Sequence, residues 1–263
     1  MKYYAVSDVH GFYTETEAAL REKGFFDSPD NVLILCGDAL DRGREAKRMV
    51  EFLLGLQEEG RLVYVRGNHE DLMGQMLQQM SAGGTFDVLD GRLDHHFSNG
   101  TFNTALQLTG MDTSSALLYT QRFVNTMLRT PFWSKLLPNA VDYFEMGDYI
   151  FVHGYIPCSV KGIRYSETYS YRENWRNADG DEWMRARWFN GMEMAVKRGI
   201  TEPGKTIVCG HWHASYGHKL VGKTSYDFGG DADFSPFYSE GIIAIDGCTA
   251  HSGRVNCVIF EGE

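Results

Sequence analysis

No stretch of the 263 residues combines the length and apolarity of a membrane span. The N-terminus, Met1-Lys2-Tyr3-Tyr4-Ala5-Val6-Ser7-Asp8, runs straight into a strand-like segment and a polar motif, so no signal peptide is expected. Cysteine is scarce. Cys36, Cys158, Cys209, Cys248 and Cys257 are odd in number, and no two have the C-x-x-C spacing of a zinc or redox site. The expectation is free, buried thiols in a reducing cytoplasm. Positive charge is also short, with 25 Lys and Arg against 35 Asp and Glu and a formal net charge of −10. That balance argues against general affinity for a nucleic-acid polymer or an anionic membrane and leaves room only for a local basic pocket. Internal repeats and low-complexity linkers are absent, and nothing in the sequence indicates an oligomeric state.

What is present is an ordinary globular composition, 43% apolar and 23% charged. The length fits a single domain over 1–263 carrying a sizeable insertion. A core of that size needs no metal as a structural prop.

Strand-like and helical patterns alternate from the start. Tyr3-Tyr4-Ala5-Val6-Ser7 leads into Asp8-Val9-His10-Gly11, and residues 14–23 carry a helical pattern. The continuous apolar run Val32-Leu33-Ile34-Leu35-Cys36 suits a strand covered on both faces, and it ends in Gly37-Asp38-Ala39-Leu40-Asp41-Arg42-Gly43. A helix over 44–58 follows. The strand Arg61-Leu62-Val63-Tyr64-Val65-Arg66 then delivers Gly67-Asn68-His69-Glu70, with the next helix starting near Glu70. This is α/β architecture (α+β in some schemes) in which the C-terminal ends of strands gather the polar residues, the edge where such sheets bind ligands.

From about 71 to 138 the strand pattern stops. Helical segments over 72–80, 102–108 and 114–128 read as an insertion capping the active edge, and its His95-His96 pair reads as surface histidines. Sheet character resumes with a hairpin, Ala140-Val141-Asp142-Tyr143-Phe144-Glu145-Met146 and Tyr149-Ile150-Phe151-Val152, ending in His153-Gly154. Residues 159–179 read as a long loop over the site, 181–198 as a helix, and Thr206-Ile207-Val208-Cys209 as a strand ending in Gly210-His211-Trp212-His213. Two more strands are expected near 241–245 and 254–260.

Five strand ends thus carry metal-competent residues: Asp8 and His10, Asp38, Asn68 and His69, His153, and His211 with His213. Carboxylate, imidazole and amide oxygen together suit Mn²⁺, Fe or Zn²⁺ better than Mg²⁺ or Ca²⁺. The set is large enough for two cations sharing one carboxylate. Such a pair stabilises the attacking and leaving oxygens of a displacement at phosphorus, and a water bridging it becomes a nucleophile at neutral pH. Arg42 would neutralise phosphate oxygens, His69 would protonate the leaving alkoxide, and Asp41 would orient His69. The chemistry expected is metal-assisted phosphoester hydrolysis.

The motifs Asp8-Val9-His10-Gly11, Gly37-Asp38-Ala39-Leu40-Asp41-Arg42-Gly43, Gly67-Asn68-His69-Glu70, His153-Gly154 and Gly210-His211 resemble the calcineurin-like metallophosphoesterase superfamily. Within it they look like the phosphoprotein phosphatases, in particular small bacterial and phage serine/threonine phosphatases and the related bis(5′-nucleosyl)-tetraphosphatases. The segment from Asp246-Gly247-Cys248 to Arg254-Val255 is similar to that family's final hairpin. The resemblance implies a β-sandwich flanked by helices. One metal would be held by Asp8, His10 and Asp38, and the other by Asp38, Asn68, His153 and His211. His69 would be the general acid, paired with Asp41, and Arg42 a phosphate clamp. A second phosphate-binding arginine would come from Trp183-Met184-Arg185-Ala186-Arg187, as Arg185 or, failing that, Arg187.

The chain departs from the family pattern at Ser7, where a glycine is usual, and at His213, a ligand or a supporting residue depending on the subgroup. The substrate expected first is phosphoserine or phosphothreonine in proteins. The alternative is a dinucleoside polyphosphate, which would need a shelf such as Tyr155, Arg164, Tyr165, Tyr169, Tyr171 and Arg172 could provide.

Overall fold

The computed structural model describes residues 1–82, 94–162, 166–222 and 224–262. In chain order the first half contains β1 (Lys2–Val6), α1 (Tyr13–Glu22), β2 (Val32–Cys36), α2 (Ala46–Glu58), β3 (Leu62–Val65), α3 (Asn68–Ser81), α4 (Asp94–Ser98), α5 (Thr101–Thr109), α6 (Thr113–Leu118) and α7 (Thr120–Leu128). The second half contains β4 (Phe144–Met146), β5 (Tyr149–Phe151), β6 (Ser159–Lys161), β7 (Thr168–Ser170), α8 (Gly180–Ala186), β8 (Thr206–Cys209), α9 (Ala214–Leu220), β9 (Phe237–Ser239), β10 (Ile242–Ala244), α10 (Thr249–Ser252) and β11 (Val258–Glu261).

Two mixed sheets result, ordered β11-β1-β2-β3 and β4-β5-β8-β10-β9. They face each other through Ala5, Ile34, Cys36 and Val65 from one and Phe151, Val208, Ile243 and Ile245 from the other. Alternate residues of the same strands point outward. Tyr4, Leu33 and Leu35 pack against α1, α2 and the inserted helices, and Ile150, Ile207 and Ala244 pack under Trp175, Trp183 and Met192. Strands covered on both faces have no polar side to show, which is why β2 reads as an unbroken apolar run. The expected sandwich flanked by helices is what forms.

Direction decides where the chemistry sits. β1, β2 and β3 are mutually parallel, and so are β5, β8 and β10. Each set therefore brings its C-terminal ends to one edge. Asp8, Asp38 and Asn68 follow the first set, and His153, His211 and Asp246 the second.

Several local expectations are corrected. The helix read over 114–128 turns at Tyr119 into α6 and α7. The loop read over 159–179 carries the hairpin β6–β7, and the helix read over 181–198 stops at Ala186. β9 and α9 were not expected at all; both are short and lack a clear apolar period. His96, read as a surface residue, is fully enclosed, whereas His95 is exposed. Burial, helped by the neighbouring His95, lowers the pKa of His96 to about 4, so its ring stays neutral.

Candidate active site

The turns after β1 and β2 are zipped together. His10 N–H donates to Asp38 O (2.9 Å), Gly11 N–H to Ala39 O (2.8 Å) and Gly43 N–H to His10 O (2.8 Å). Asp8, His10, Asp38, Asp41, Arg42 and His211 all have positive φ. Left-handed backbone at non-glycine residues costs about 1–3 kcal/mol each and clusters at functional sites. The buried side chains between the sheets, at about 1.5–3 kcal/mol apiece, offset it. Two glycines let the sheets close. A Cβ on Gly210 would fall 1.6 Å from Ser7 Oγ and 2.1 Å from Asp8 Oδ2, and one on Gly37 would fall 2.4 Å from His153 Nδ1.

Glu70 explains how the third turn is held. From the third position of α3 its carboxylate accepts from Gly67 N–H (2.6 Å), Asp38 N–H (3.1 Å) and Ala39 N–H (3.1 Å). His69 N–H in turn donates to Asp38 Oδ1 at 3.0 Å. Asp38 thus sits against the N-terminus of a 14-residue helix, where the backbone dipoles favour negative charge.

The metal-competent side chains converge. Donor atoms of His10, Asp38 and His69 lie within 4.8 Å of one another, as do those of Asp38, His153 and His211, with Asp38 common to both groups. Ring tautomers are set from behind. His10 Nδ1 faces Leu40 O and His153 Nδ1 faces Cys36 O, both at 2.9 Å, so each Nδ1–H donates to a carbonyl and each Nε2 presents a lone pair. The His153 lone pair then looks at Asn68 Oδ1 (2.7 Å) and Asp38 Oδ1 (3.4 Å). A cation among these groups would satisfy all three. Charge makes the same demand, since Asp8, Asp38, Asp41, Glu70 and Asp246 are all buried here. Burial, with Asp8 adding to it, raises the pKa of both Asp38 and Asp246 well above the carboxylate range. The donor set therefore fits divalent metal ions of the N/O-preferring kind.

His69 differs from the other histidines. Its Nδ1 donates not to a carbonyl but to Asp41 Oδ2, at 2.7 Å. Burial pulls its pKa down, yet the charge on Asp38 and the bond to Asp41 outweigh that and leave it raised. Burial, with the charges of neighbouring groups, drives His10 and His211 well below the ordinary imidazole value. Arg42 is exposed and spans the two rings, Nη1 at 2.7 Å from His10 Nε2 and Nη2 at 3.2 Å from His69 Nε2.

A model of the calcineurin-like phosphoesterase family matches residues 1–235. The chain belongs to that family. An asymmetrical bis(5′-nucleosyl)-tetraphosphatase of Bacillus subtilis is 34% identical over 76 residues, 26% of this chain and 31% of that protein. A symmetrical one of Buchnera aphidicola is 33% identical over 70 residues, 27% of this chain and 24% of that protein. The matches thus span less than a third of either relative's length. A cold-active protein tyrosine phosphatase superposes with a TM-score of 0.56 at 16% identity, covering 99% of this chain and 73% of that one, a likeness of fold.

Not every residue expected at this site is found there. Arg187 is buried in ion pairs with Asp71 (2.6 Å) and Asp142, so its charge is already spent. Arg185 lines a separate cleft with Arg172, Asp179 and Asp181, away from the clustered donors. His213 joins neither donor group. Its Nδ1 lies 3.0 Å from both carboxylate oxygens of Asp227, and its Nε2 lies 4.0 Å from Asp246 Oδ2. The polar groups of the expected aromatic shelf have other partners. Tyr155 is buried with its hydroxyl on Ile200 O, Tyr169 bonds Glu167, Tyr171 bonds Glu202 and Arg172 pairs with Glu182. Arg164 and Tyr165 lie outside the described residues.

Other residues come in unannounced. Asp246 was left without a role, although Ile242-Ile243-Ala244-Ile245-Asp246-Gly247 repeats the signal of an apolar run ending in a carboxylate. The inserted α5 braces the Asp41 turn. Thr101 Oγ1 donates to Asp41 Oδ2 (2.7 Å), Asp41 N–H donates to Thr104 Oγ1 (3.1 Å), and Gln107 bonds Gly43 O (2.9 Å) and Ala46 N (3.1 Å). Thr101→Val should therefore lower kcat on an unactivated phosphoester by about tenfold, the worth of one hydrogen bond to a charged group, with metal content and KM held. Thr101→Ser should restore it. A Val variant with wild-type kcat would show that the hydroxyl does not position Asp41.

Proposed function

We propose that the chain hydrolyses phosphoesters at two divalent cations, one held by Asp8, His10 and Asp38 and the other by Asp38, Asn68, His153 and His211. Mn²⁺ suits this donor set best, with Fe and Zn²⁺ as alternatives. Bound there, the ions supply Lewis acidity to the phosphoryl group and acidify water. Arg42 turns its fork from the imidazoles to the phosphate oxygens. His69, held in one tautomer by Asp41, gives its proton to the leaving oxygen. The observation that carries this reading is the convergence of two donor groups, His10, Asp38 and His69 in one and Asp38, His153 and His211 in the other, on the shared carboxylate of Asp38. In the same reading the insertion at 71–138 belongs to one catalytic domain with the sheets. The five buried free thiols suit a reducing cytoplasm.

The substrate we favour is a nucleoside polyphosphate of the bis(5′-nucleosyl)-tetraphosphate kind, as the names of both curated relatives suggest. A phosphoserine or phosphothreonine protein is the second reading. An exposed guanidinium beside the donor cluster suits a terminal phosphate dianion equally well. Turnover of diadenosine tetraphosphate and of a phosphopeptide, with Mn²⁺ and after chelation, tests the proposal. Activity should vanish on chelation and return with metal, and kcat/KM should favour the dinucleotide by more than about tenfold. The opposite preference selects the phosphoprotein reading, and turnover that survives chelation refutes the metal mechanism.

A further inference from the structure

A cleft of about 300 Å³ opens directly beside His211, lined by Trp188, His211, Trp212, His213 and Tyr226. Trp188 links the cleft to the donor cluster. Its carbonyl receives the His211 ring N–H, and its indole stands edge-on to that ring, with centroids 5.6 Å apart. Yet the indole is 47% exposed. Part of this ring is therefore open to a ligand beside the donor cluster. Trp212 meets Tyr216 edge-on (5.3 Å) and Tyr216 meets Tyr226 edge-on (5.7 Å), so the two aromatic rings that line the cleft opposite Trp188 are braced by Tyr216. At the floor, Asp227 holds His213 by Nδ1 and also accepts from Ser215 Oγ (2.7 Å), which fixes one polar edge in an otherwise aromatic space.

We infer that this cleft receives the nucleobase of the substrate, stacked on Trp188 and Trp212, while the phosphate it carries lies at the donor cluster. The inference rests on the proposed phosphohydrolase reading and names what the same site recognises. The volume admits one planar ring system. A base profits from indole faces whatever its sequence identity, and its polar edge can meet His213, whereas an aliphatic protein side chain gains from neither. Contact between the cleft and His211 keeps base and phosphate within one substrate.

The test substitutes only the ring, so the Trp188 carbonyl that orients His211 remains. Wild type, Trp188→Leu, Trp212→Leu and Trp188→Phe are compared on diadenosine tetraphosphate and on inorganic tripolyphosphate. The ratio of kcat/KM for the nucleotide to that for tripolyphosphate should fall by about 5–100-fold in the Leu variants, the value of one stacked base, and be largely kept by Trp188→Phe. Without metal, AMP should quench tryptophan fluorescence in the wild type and bind more weakly to Trp188→Leu. An unchanged ratio in both Leu variants overturns the assignment. If no variant and no wild type hydrolyses tripolyphosphate or nucleotide with metal present, it is the phosphohydrolase reading that fails. Quenching by AMP would then still report on the cleft by itself.

Discussion

Asp38→Asn is expected to reverse a stability order. Asp38 is the one side chain common to both donor groups, and it is 2% exposed. Burial above all, then the charges of Asp8 and Glu70, disfavours its ionised form, against the opposing pull of His69. A buried carboxylate without a counter-charge destabilises the fold, and the metal-free protein carries that cost. Replacing it by a neutral isostere removes the cost but keeps an acceptor for His69 N–H. The metal-free variant should therefore melt above the metal-free wild type by about 2–4 °C, the equivalent of about 1 kcal/mol at this chain length. With saturating Mn²⁺ the order should invert, because the wild type gains binding energy that the variant has lost. Turnover should fall by at least about 10²-fold, the scale attached to losing one preorganised charge-stabilising group. Metal analysis and melting of the same samples check all three points. A variant that keeps both metals and full activity removes Asp38 as the shared ligand.

His69→Asn should lose comparable activity for a different reason. Nε2 of His69 lies 3.8 Å from Asp38 Oδ2, close enough that position alone does not separate a proton donor from a ligand. The partner of Nδ1 does. A carbonyl behind His10 and His153 suits a neutral ligand, while the carboxylate behind His69 stabilises an imidazolium. The variant should bind the same metal complement and lose about 10²–10⁴ in kcat on an alkyl phosphate. On p-nitrophenyl phosphate the loss should shrink, because that leaving group departs without a proton. An equal deficit on both substrates, together with lost metal, would make His69 a ligand instead.

Much of the site could be read from the chain because each motif is local. An apolar run followed by a polar residue and a glycine marks a strand end, whatever lies elsewhere, and Asp8, Asp38, Asn68, His153 and His211 were all visible that way. The same rule, applied to the strand expected near 241–245, would also have found Asp246. The arginine after Trp183 failed for the opposite reason. Its spacing matched a family pattern, and nothing near it announced Asp71, 116 residues away, which holds Arg187.

By itself, then, the sequence determined the alternation of strand and helix, the α/β class and the residues at the ends of the main strands, since backbone propensity and side-chain period are properties of neighbours in the chain. Tertiary structure alone decided that parallel pairing gathers those ends at one edge, that α5 holds Asp41 through Thr101, and that Trp188 and Trp212 line a cleft beside His211. Those outcomes rest on hydrogen bonds and packing between residues tens to hundreds of positions apart. Such contacts leave no periodic trace in the chain, because their partners meet only after the two sheets have closed on each other.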